Sequence, residues 1–165
     1  MKTTLLVLFS LSLYFVPKTL AADQAKNLWL ARFTSPSNAT AVVASAQTAD
    51  LEAIQQSGLF GKVSSFRTET EKPDGAWELS ADAIDYSHGS TAKSMLVGFG
   101  SGRAHLVMEY KLKNPAGETV WTSKIKTHPS FWSSAVTDLH NAKADRQAQK
   151  LLDELTKFMQ SQKQP

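Results

Sequence analysis

Near the C-terminal end of the chain, apolar residues recur at intervals of three and four. These residues are Ala144, Ala148, Leu151, Leu152, Leu155, Phe158 and Met159. Charged and polar residues fill the positions between them, so the pattern predicts an amphipathic helix with one face against a core. We expect Leu152 and Leu155 to be buried in that core, and we expect residues 161–165 to fray.

Two alternating segments separated by a turn predict a β-hairpin. In residues 104–113 every second residue is apolar, which is the period of a strand with one buried face. Residues 114–117 read NPAG, a strong turn sequence, and residues 119–126 return as the second strand. Two sets of residues in that strand compete for the core: Trp121, Ser123 and Ile125 against Val120 and Thr122. The register therefore stays open, and a bulge near Gly117 is one resolution.

The segment before this hairpin contains a strand, a helix and two more strands. Residues 27–33 form a dense apolar run that favours a buried strand. The helix that follows has Thr48 as a plausible cap and Gly58 as its stop, because glycine enters the left-handed conformation at low cost. Residues 59–68 have the character of a strand, and alternation resumes over residues 77–83.

This order of elements predicts an α+β fold in the form of a two-layer sandwich. We expect a mixed, mostly antiparallel sheet with two amphipathic helices on one face. A chain of 165 residues without repeats or a linker indicates a single α/β domain, which we place at residues 23–160.

The first 22 residues are predicted to be a cleavable secretory signal peptide. Lys2 supplies a positive start, residues 5–17 are an apolar run, and small residues follow at Ala21 and Ala22. As a helix this run rises only about 20 Å, less than the roughly 30 Å hydrocarbon core of a bilayer. We therefore expect a protein exported to the periplasm or the extracellular space, soluble after cleavage and without a permanent membrane span.

Charge and cysteine content exclude several classes of protein. Removing Lys2 and Lys18 from the 18 basic residues leaves 16 against 15 acidic residues, so the predicted mature chain is nearly neutral. That balance argues against nucleic-acid binding. The chain has no cysteine, which excludes disulfides, a thiolate nucleophile and cysteine metal sites. The lipid-bearing cysteine of a bacterial lipoprotein is also missing, so we expect that the protein is not a lipoprotein.

The most unusual segment is glycine-rich, with Gly98, Gly100 and Gly102 at alternate positions. A dinucleotide fingerprint requires a helix after such glycines, whereas here a strand pattern follows, and no Walker lysine is present. The simpler interpretation is a tight connection between strands, in which at least one glycine adopts a backbone conformation that other residues rarely adopt. The alternative is a small-molecule site formed by these glycines together with Lys93 and Arg103.

Several of these features together resemble a bacterial family catalogued as domain of unknown function 4410. They are WEL at residues 77–79, GS at 89–90, LVGFGSGRA at 96–104, the alternating strand, the turn at 114–117 and the closing helix. The resemblance implies a small α/β domain exported to the cell envelope, and it implies no activity and no catalytic residue. The chain departs from the family in lacking a lipid-bearing cysteine. A basic residue often precedes the glycine core in the family, and Lys93 is the nearest one here.

Catalytic and metal-binding patterns are weak in this sequence. The four histidines are His88, His105, His128 and His140, and none has the spacing of a metal motif, so we expect neither a metal nor a cofactor. Ser101 lies between glycines but lacks the strand–turn–helix context of a nucleophile elbow. Asp82 and Asp85 are three apart in a predicted strand, so we expect their carboxylates on opposite faces.

Two surface features suggest binding. The lysines of the hairpin, Lys111, Lys113, Lys124 and Lys126, are predicted to share its outer face, where they would meet acidic partners or protect a sheet edge from pairing. Phe131 and Trp132 would form a platform for a partner or attach the last helix to the sheet.

The sequence therefore favours a non-enzymatic exported protein that binds another macromolecule, with a protein or another envelope component as its partner. The alternative function is a small-molecule-binding or hydrolytic domain that uses the glycine-rich loop at residues 98–102.

Overall fold

The computed structural model of the protein describes residues 26–87, 105–128 and 136–162, with the side chains of 136–143 excepted. The predicted signal peptide at residues 1–22 lies outside the described residues, and so does most of the predicted frayed tail. Helix α2, defined below, continues to Ser161, one residue into that tail.

The described residues form five strands and two long helices. In chain order these are β1 (Leu28–Leu30), a short 3-10 turn (Ser37–Ala39), α1 (Thr40–Ser57), β2 (Val63–Ser65), β3 (Trp77–Ser87), β4 (His105–Lys113), β5 (Thr119–Thr127) and α2 (Val136–Ser161). The strands form one sheet in the spatial order β2–β1–β3–β4–β5. Strand β1 pairs in parallel with β2 and β3 over three residues each, whereas β3, β4 and β5 form long antiparallel ladders. The predicted α+β fold with a mixed, mostly antiparallel sheet is confirmed.

Both helices pack on the same face of the sheet. The inward side chains of β4 are fully buried, and they share one apolar core with Ile54 of α1 and with Leu151 and Leu155 of α2. Burying one such side chain contributes roughly 1.5–3 kcal/mol, so this shared core holds the two layers together.

Helix α1 begins earlier than the sequence pattern predicts. It starts at Thr40, and the predicted cap Thr48 is an interior residue whose hydroxyl donates to the Ala44 carbonyl at 3.1 Å. The prediction of a cap at Thr48 is therefore wrong: a threonine inside a helix can satisfy its hydroxyl on the preceding turn. The predicted stop is confirmed, because Gly58 ends the helix in the left-handed conformation at φ 65°.

A bulge fixes the register of the β4–β5 hairpin. Leu112 lies opposite Trp121, but Lys113 lies opposite Thr119, so Val120 is the extra residue. Val120 is 37% exposed, and the residues that face the helices are Trp121, Ser123, Ile125 and Thr127. The bulge near Gly117 that the sequence analysis offered as one resolution is present.

A second bulge, at Ile84 in β3, changes which side chains share a face. Ala83 pairs with Met108 and Asp85 pairs with Val107, so Ile84 has no partner in the ladder and is 48% exposed. The extra residue reverses the alternation beyond it. Asp82 and Asp85 therefore lie on the same face of the sheet, and the prediction of opposite faces is wrong.

The predicted stripe of α2 faces the core. Ala144, Ala148, Leu151, Leu155 and Met159 are buried. Leu152 is only half-buried, so the expectation of burial holds for Leu155 and is wrong for Leu152. Within the described part of the chain, no helix combines the length and apolar character needed to cross a membrane.

Candidate functional site

The side of the sheet that faces away from the helices carries a dense set of charged side chains. We call this set the outer face. It comprises Glu78, Asp82, Asp85, His105, Glu109, Lys111, Lys113, Lys124 and Lys126, which the strand registers place on one side of β3, β4 and β5. No helix among the described residues covers this side. The outer face is therefore a charged surface that a partner could contact.

Ion pairs connect the three strands across the outer face. The Lys111 Nζ lies 3.2 Å from a carboxylate oxygen of Asp82 on β3 and 3.2 Å from one of Glu109 on its own strand. The Lys124 Nζ on β5 lies 3.2 Å from the other oxygen of Glu109. The Thr34 hydroxyl also donates to Asp82. Exposed ion pairs of this kind typically contribute less than about 1 kcal/mol each to folding stability. Their main effect is to hold the charged side chains in fixed positions.

These contacts keep the central charged groups ionised. The hydroxyl of Thr34 and then the ammonium of Lys111 hold the pKa of Asp82 below its usual value. The hydrogen bonds from Lys124 and Lys111 likewise lower the pKa of Glu109, and the two carboxylates raise the pKa of Lys111. None of the three is poised to exchange a proton near neutral pH, so this arrangement suits recognition better than acid–base chemistry.

The four hairpin lysines lie on the outer face as predicted, but they are not equivalent. Lys111 and Lys113 are neutralised by acids of the sheet, with Lys113 Nζ 3.0 Å from Glu78. The Lys124 side chain is 64% exposed, and Lys126 beside it on β5 is also exposed. Lys124 and Lys111 share Glu109, so Lys126 is the hairpin lysine without an ion pair among the described residues. The acids between these lysines were visible in the sequence as polar positions in β3 and β4, but their pairing with the lysines was not.

At one end of the outer face, His105 is bonded to Asp85. The His105 Nε2 lies 2.8 Å from the carboxylate, and the centroid of the His128 ring lies 6.1 Å from that of His105. This pair exists because the bulge at Ile84 brings Asp85 to the outer face, and no periodic signal in the sequence predicts it. Among the described residues, no cluster of three or more acidic or histidine side chains could hold a metal ion.

A second polar cluster is buried between the two helices and the sheet. The Tyr110 hydroxyl donates to Asp50 Oδ2 at 2.7 Å, and Gln147 Nε2 donates to the Tyr110 oxygen at 3.3 Å. The Thr127 hydroxyl donates to Gln147 Oε1. Asp50, Tyr110 and Gln147 are each 0% exposed. We call these four residues the buried network, which no local sequence pattern predicts.

The buried network contains a carboxyl group with a strongly shifted pKa. Desolvation by burial raises the pKa of Asp50 to about 8, and the hydrogen bond from Tyr110 only partly opposes this effect. Its second oxygen, Oδ1, has no hydrogen-bond partner among the described residues. The hydrogen bonds of the network join α1, α2 and the sheet. Because the Asp50 side chain is fully buried, a substrate cannot reach its carboxyl group.

The predicted glycine-loop site lies outside the described residues. Gly98, Gly100, Gly102, Lys93 and Arg103 all belong to residues 88–104, and Phe131 and Trp132 belong to residues 129–135. The strand ends that flank the first segment, Ser87 and His105, are paired with each other. The two strand ends therefore lie side by side at one end of the β3–β4 ladder.

Solved structures provide matches for this architecture. The protein XCC0632 from Xanthomonas campestris, assigned to family DUF330, is 12% identical with a TM-score of 0.58; the match covers 84% of this chain and 88% of that one. A dodecamer of a PelC variant from Paraburkholderia phytofirmans is 11% identical with a TM-score of 0.54, over 74% of this chain and 85% of that one. The chain shares the fold of these proteins. At such low identity, the similarity extends to the fold alone.

A third solved structure, described only as an uncharacterized protein, has a TM-score of 0.57 at 10% identity and covers 81% of this chain and 92% of that one. No family model and no curated protein matches the sequence.

Proposed function

We propose that this chain is an exported, non-enzymatic protein of the cell envelope or the secreted fraction, and that it acts by binding a protein partner. The observation that carries the proposal is the outer face: an ordered, charged surface of three strands that no described helix covers. Export rests on the predicted signal peptide at residues 1–22. Membership of the family with domain of unknown function 4410, and the absence of a lipid anchor, belong to the same proposal.

A binding role fits the chemistry of the described residues better than catalysis does. General acid–base catalysis requires a group whose pKa lies near the working pH and which can reach a substrate. Asp50 has such a pKa but is enclosed, whereas Asp82, Glu109 and Lys111 are accessible but fixed in their charged forms. The alternative hydrolytic or small-molecule function belongs to residues 98–102, which lie outside the described residues.

The edge strand β5 is the part of the outer face best suited to a partner. Among the described residues β5 pairs only with β4, so its other edge can pair with another chain, apart from the Lys126 carbonyl, which accepts a hydrogen bond from Lys150. Lys124 and Lys126 add positive charge along this strand, so we propose an acidic protein segment as the partner. The PelC structures of similar fold are dodecamers, and this supports the proposal of a protein partner.

The partner surface can be tested by photo-crosslinking in the exporting cell. A photo-reactive residue at position 122 on β5 is expected to give a specific adduct. The double variant Lys124→Glu and Lys126→Glu should reduce that adduct at least tenfold, because it replaces attraction by repulsion. The matched control is the double variant Arg146→Glu and Lys62→Glu, which makes the same change of charge elsewhere. Arg146 lies on α2, and Lys62 lies beside β2, the edge strand opposite β5. Equal loss in both double variants, or no adduct from β5, would overturn the proposal.

Export is tested separately by mass spectrometry of the protein recovered from outside the cytoplasm. The N-terminus is expected at Ala22 or Asp23, because the small residues at 21 and 22 follow the apolar run. A folded product that retains Met1 would contradict a cleaved signal peptide, whatever the crosslinking shows.

A further inference from the structure

A pocket of about 320 Å³ lies at the carboxyl ends of two parallel strands, away from the proposed partner surface. Arg32 follows β1, and Phe66 and Arg67 follow β2 directly. Because Leu30 pairs in parallel with Ser65, these residues leave the sheet at the same edge. In sheets with parallel strands this is the edge at which ligands commonly bind.

Two arginines in this pocket share one aromatic ring. The guanidinium carbon of Arg32 lies 4.8 Å from the centroid of the Phe66 ring, and that of Arg67 lies 5.8 Å from it. Stacking on a ring holds a guanidinium in place and leaves the N–H donors at its rim available. The only hydrogen bond of the two side chains within the described structure is a long one, from Arg67 Nη1 to the Thr48 hydroxyl at 3.5 Å.

Neither arginine is neutralised by the described part of the protein. The ion pairs of the described residues all join a lysine or a histidine to an acid, and none includes Arg32 or Arg67. No acidic residue lines the pocket. Two exposed positive charges held on one ring, with no ion pair among the described residues, favour an anion here, although Glu52 and Asp145 line the neighbouring pocket that Arg67 also borders.

The remaining walls of the pocket fit a small polar ligand with an apolar part. Phe33, Val43 and Ala44 are apolar, whereas Ser35 and Thr40 carry hydroxyl groups, and the Thr40 hydroxyl donates to the Ser37 carbonyl at 3.3 Å. Gln47 is also present, but its amide is used by the backbone of Ala31 and Phe33. The first turn of α1 begins here without an acidic residue or a side-chain cap, so its positive end adds to the field of the arginines.

We infer that this pocket binds an oxyanion, a phosphate or carboxylate group carried by a small ligand, which the guanidiniums of Arg32 and Arg67 hold together. Guanidinium groups donate two parallel hydrogen bonds to either group, which explains why arginine rather than lysine occupies both positions. A volume of about 320 Å³ is at the lower end of the range for ligand pockets, so the ligand is small.

The test is a titration of the purified protein with inorganic phosphate and, separately, with citrate, followed by NMR and calorimetry at constant ionic strength. We expect binding in the millimolar range or tighter for at least one of them, with chemical-shift changes centred on residues 32, 66 and 67. Binding of phosphate alone assigns a phosphate site, and binding of citrate alone assigns a carboxylate site. No binding of either anion would overturn the inference.

Variants locate the site. Arg32→Gln and Arg67→Gln should each weaken binding at least tenfold, because each removes a charged hydrogen-bond donor. Arg146→Gln, the same change at an exposed position of α2, should leave the affinity unaltered. If Arg146→Gln weakens binding as much as the pocket variants do, anion binding depends only on the net charge of the protein and the inference is wrong. Unchanged melting curves for all three variants would exclude an effect through folding.

Discussion

Replacing Leu155 by alanine is expected to lower the free energy of unfolding by roughly 2–5 kcal/mol. The Leu155 side chain is 0% exposed and lies in the core shared by both helices and the sheet. Its removal costs the transfer energy of the lost methyl groups and leaves a cavity that the sheet on one side prevents from collapsing. Denaturant unfolding followed by circular dichroism measures the loss.

Leu152→Ala is the matched control, since it makes the same chemical change about one turn earlier on the same helix. Leu152 is half-buried, so the substitution should cost clearly less than Leu155→Ala. A loss below about 1 kcal/mol at Leu155 would mean that α2 is peripheral to the core, and equal large losses at both positions would contradict the half-buried position of Leu152.

Stability is also expected to fall as the pH rises from about 4 to about 8, because of Asp50. Burial raises the pKa of Asp50 from 3.8 to about 8, so the folded protein keeps a proton that the unfolded chain releases in this interval. The unfolded state binds fewer protons there, and the free energy of unfolding falls by up to about 1.4 kcal/mol per pH unit. The stabilising contribution of Asp50 to the free energy of unfolding is fully present below about pH 4 and is lost above about pH 8.

Asp50→Asn isolates this effect. An amide has no charged form, so the variant should lose the Asp50 part of the slope between pH 4 and 8 and exceed the parent in stability above pH 8. The control Asp145→Asn makes the same change at an exposed position of α2. Asp82 and Glu109, whose pKa values are lowered, act in the opposite sense below about pH 4 and do not affect the comparison. Parallel pH profiles for parent and Asp50→Asn would contradict a buried neutral carboxyl group.

Local periodicity predicted the elements with one continuous buried face. Strand β4 buries the residues that its pattern indicated, and helix α2 does so except at Leu152 and Phe158, which are partly buried. The left-handed glycine at residue 58 ends α1 as expected. The pattern failed where one residue is inserted into a ladder. At Ile84 the alternation changes phase within β3, and the residues on either side give no sign of it. The pairing of Asp85 with His105 could therefore not be predicted.

Polar contacts between residues that are distant in the sequence could not be predicted from the hydrophobic pattern either. Asp50 lies sixty residues before Tyr110, and it occupies a helical position that composition alone would assign to the surface. Arg32 and Arg67 meet at Phe66 only because β1 and β2 run parallel, and β2 is too short to be bounded by periodicity. The lysines of the outer face were predictable because they lie on one local hairpin.

The position of β1 has a consequence for the order in which the protein can fold. Although β1 comes first among the described strands, it lies inside the sheet, and Leu28 pairs on its two sides with Val63 and Trp77. A chain synthesised from its N-terminus therefore cannot complete the parallel half of the sheet until β3 has followed. The β3–β5 meander, in contrast, joins consecutive segments and can form on its own contacts. We therefore expect β1 to join the sheet after the meander has formed.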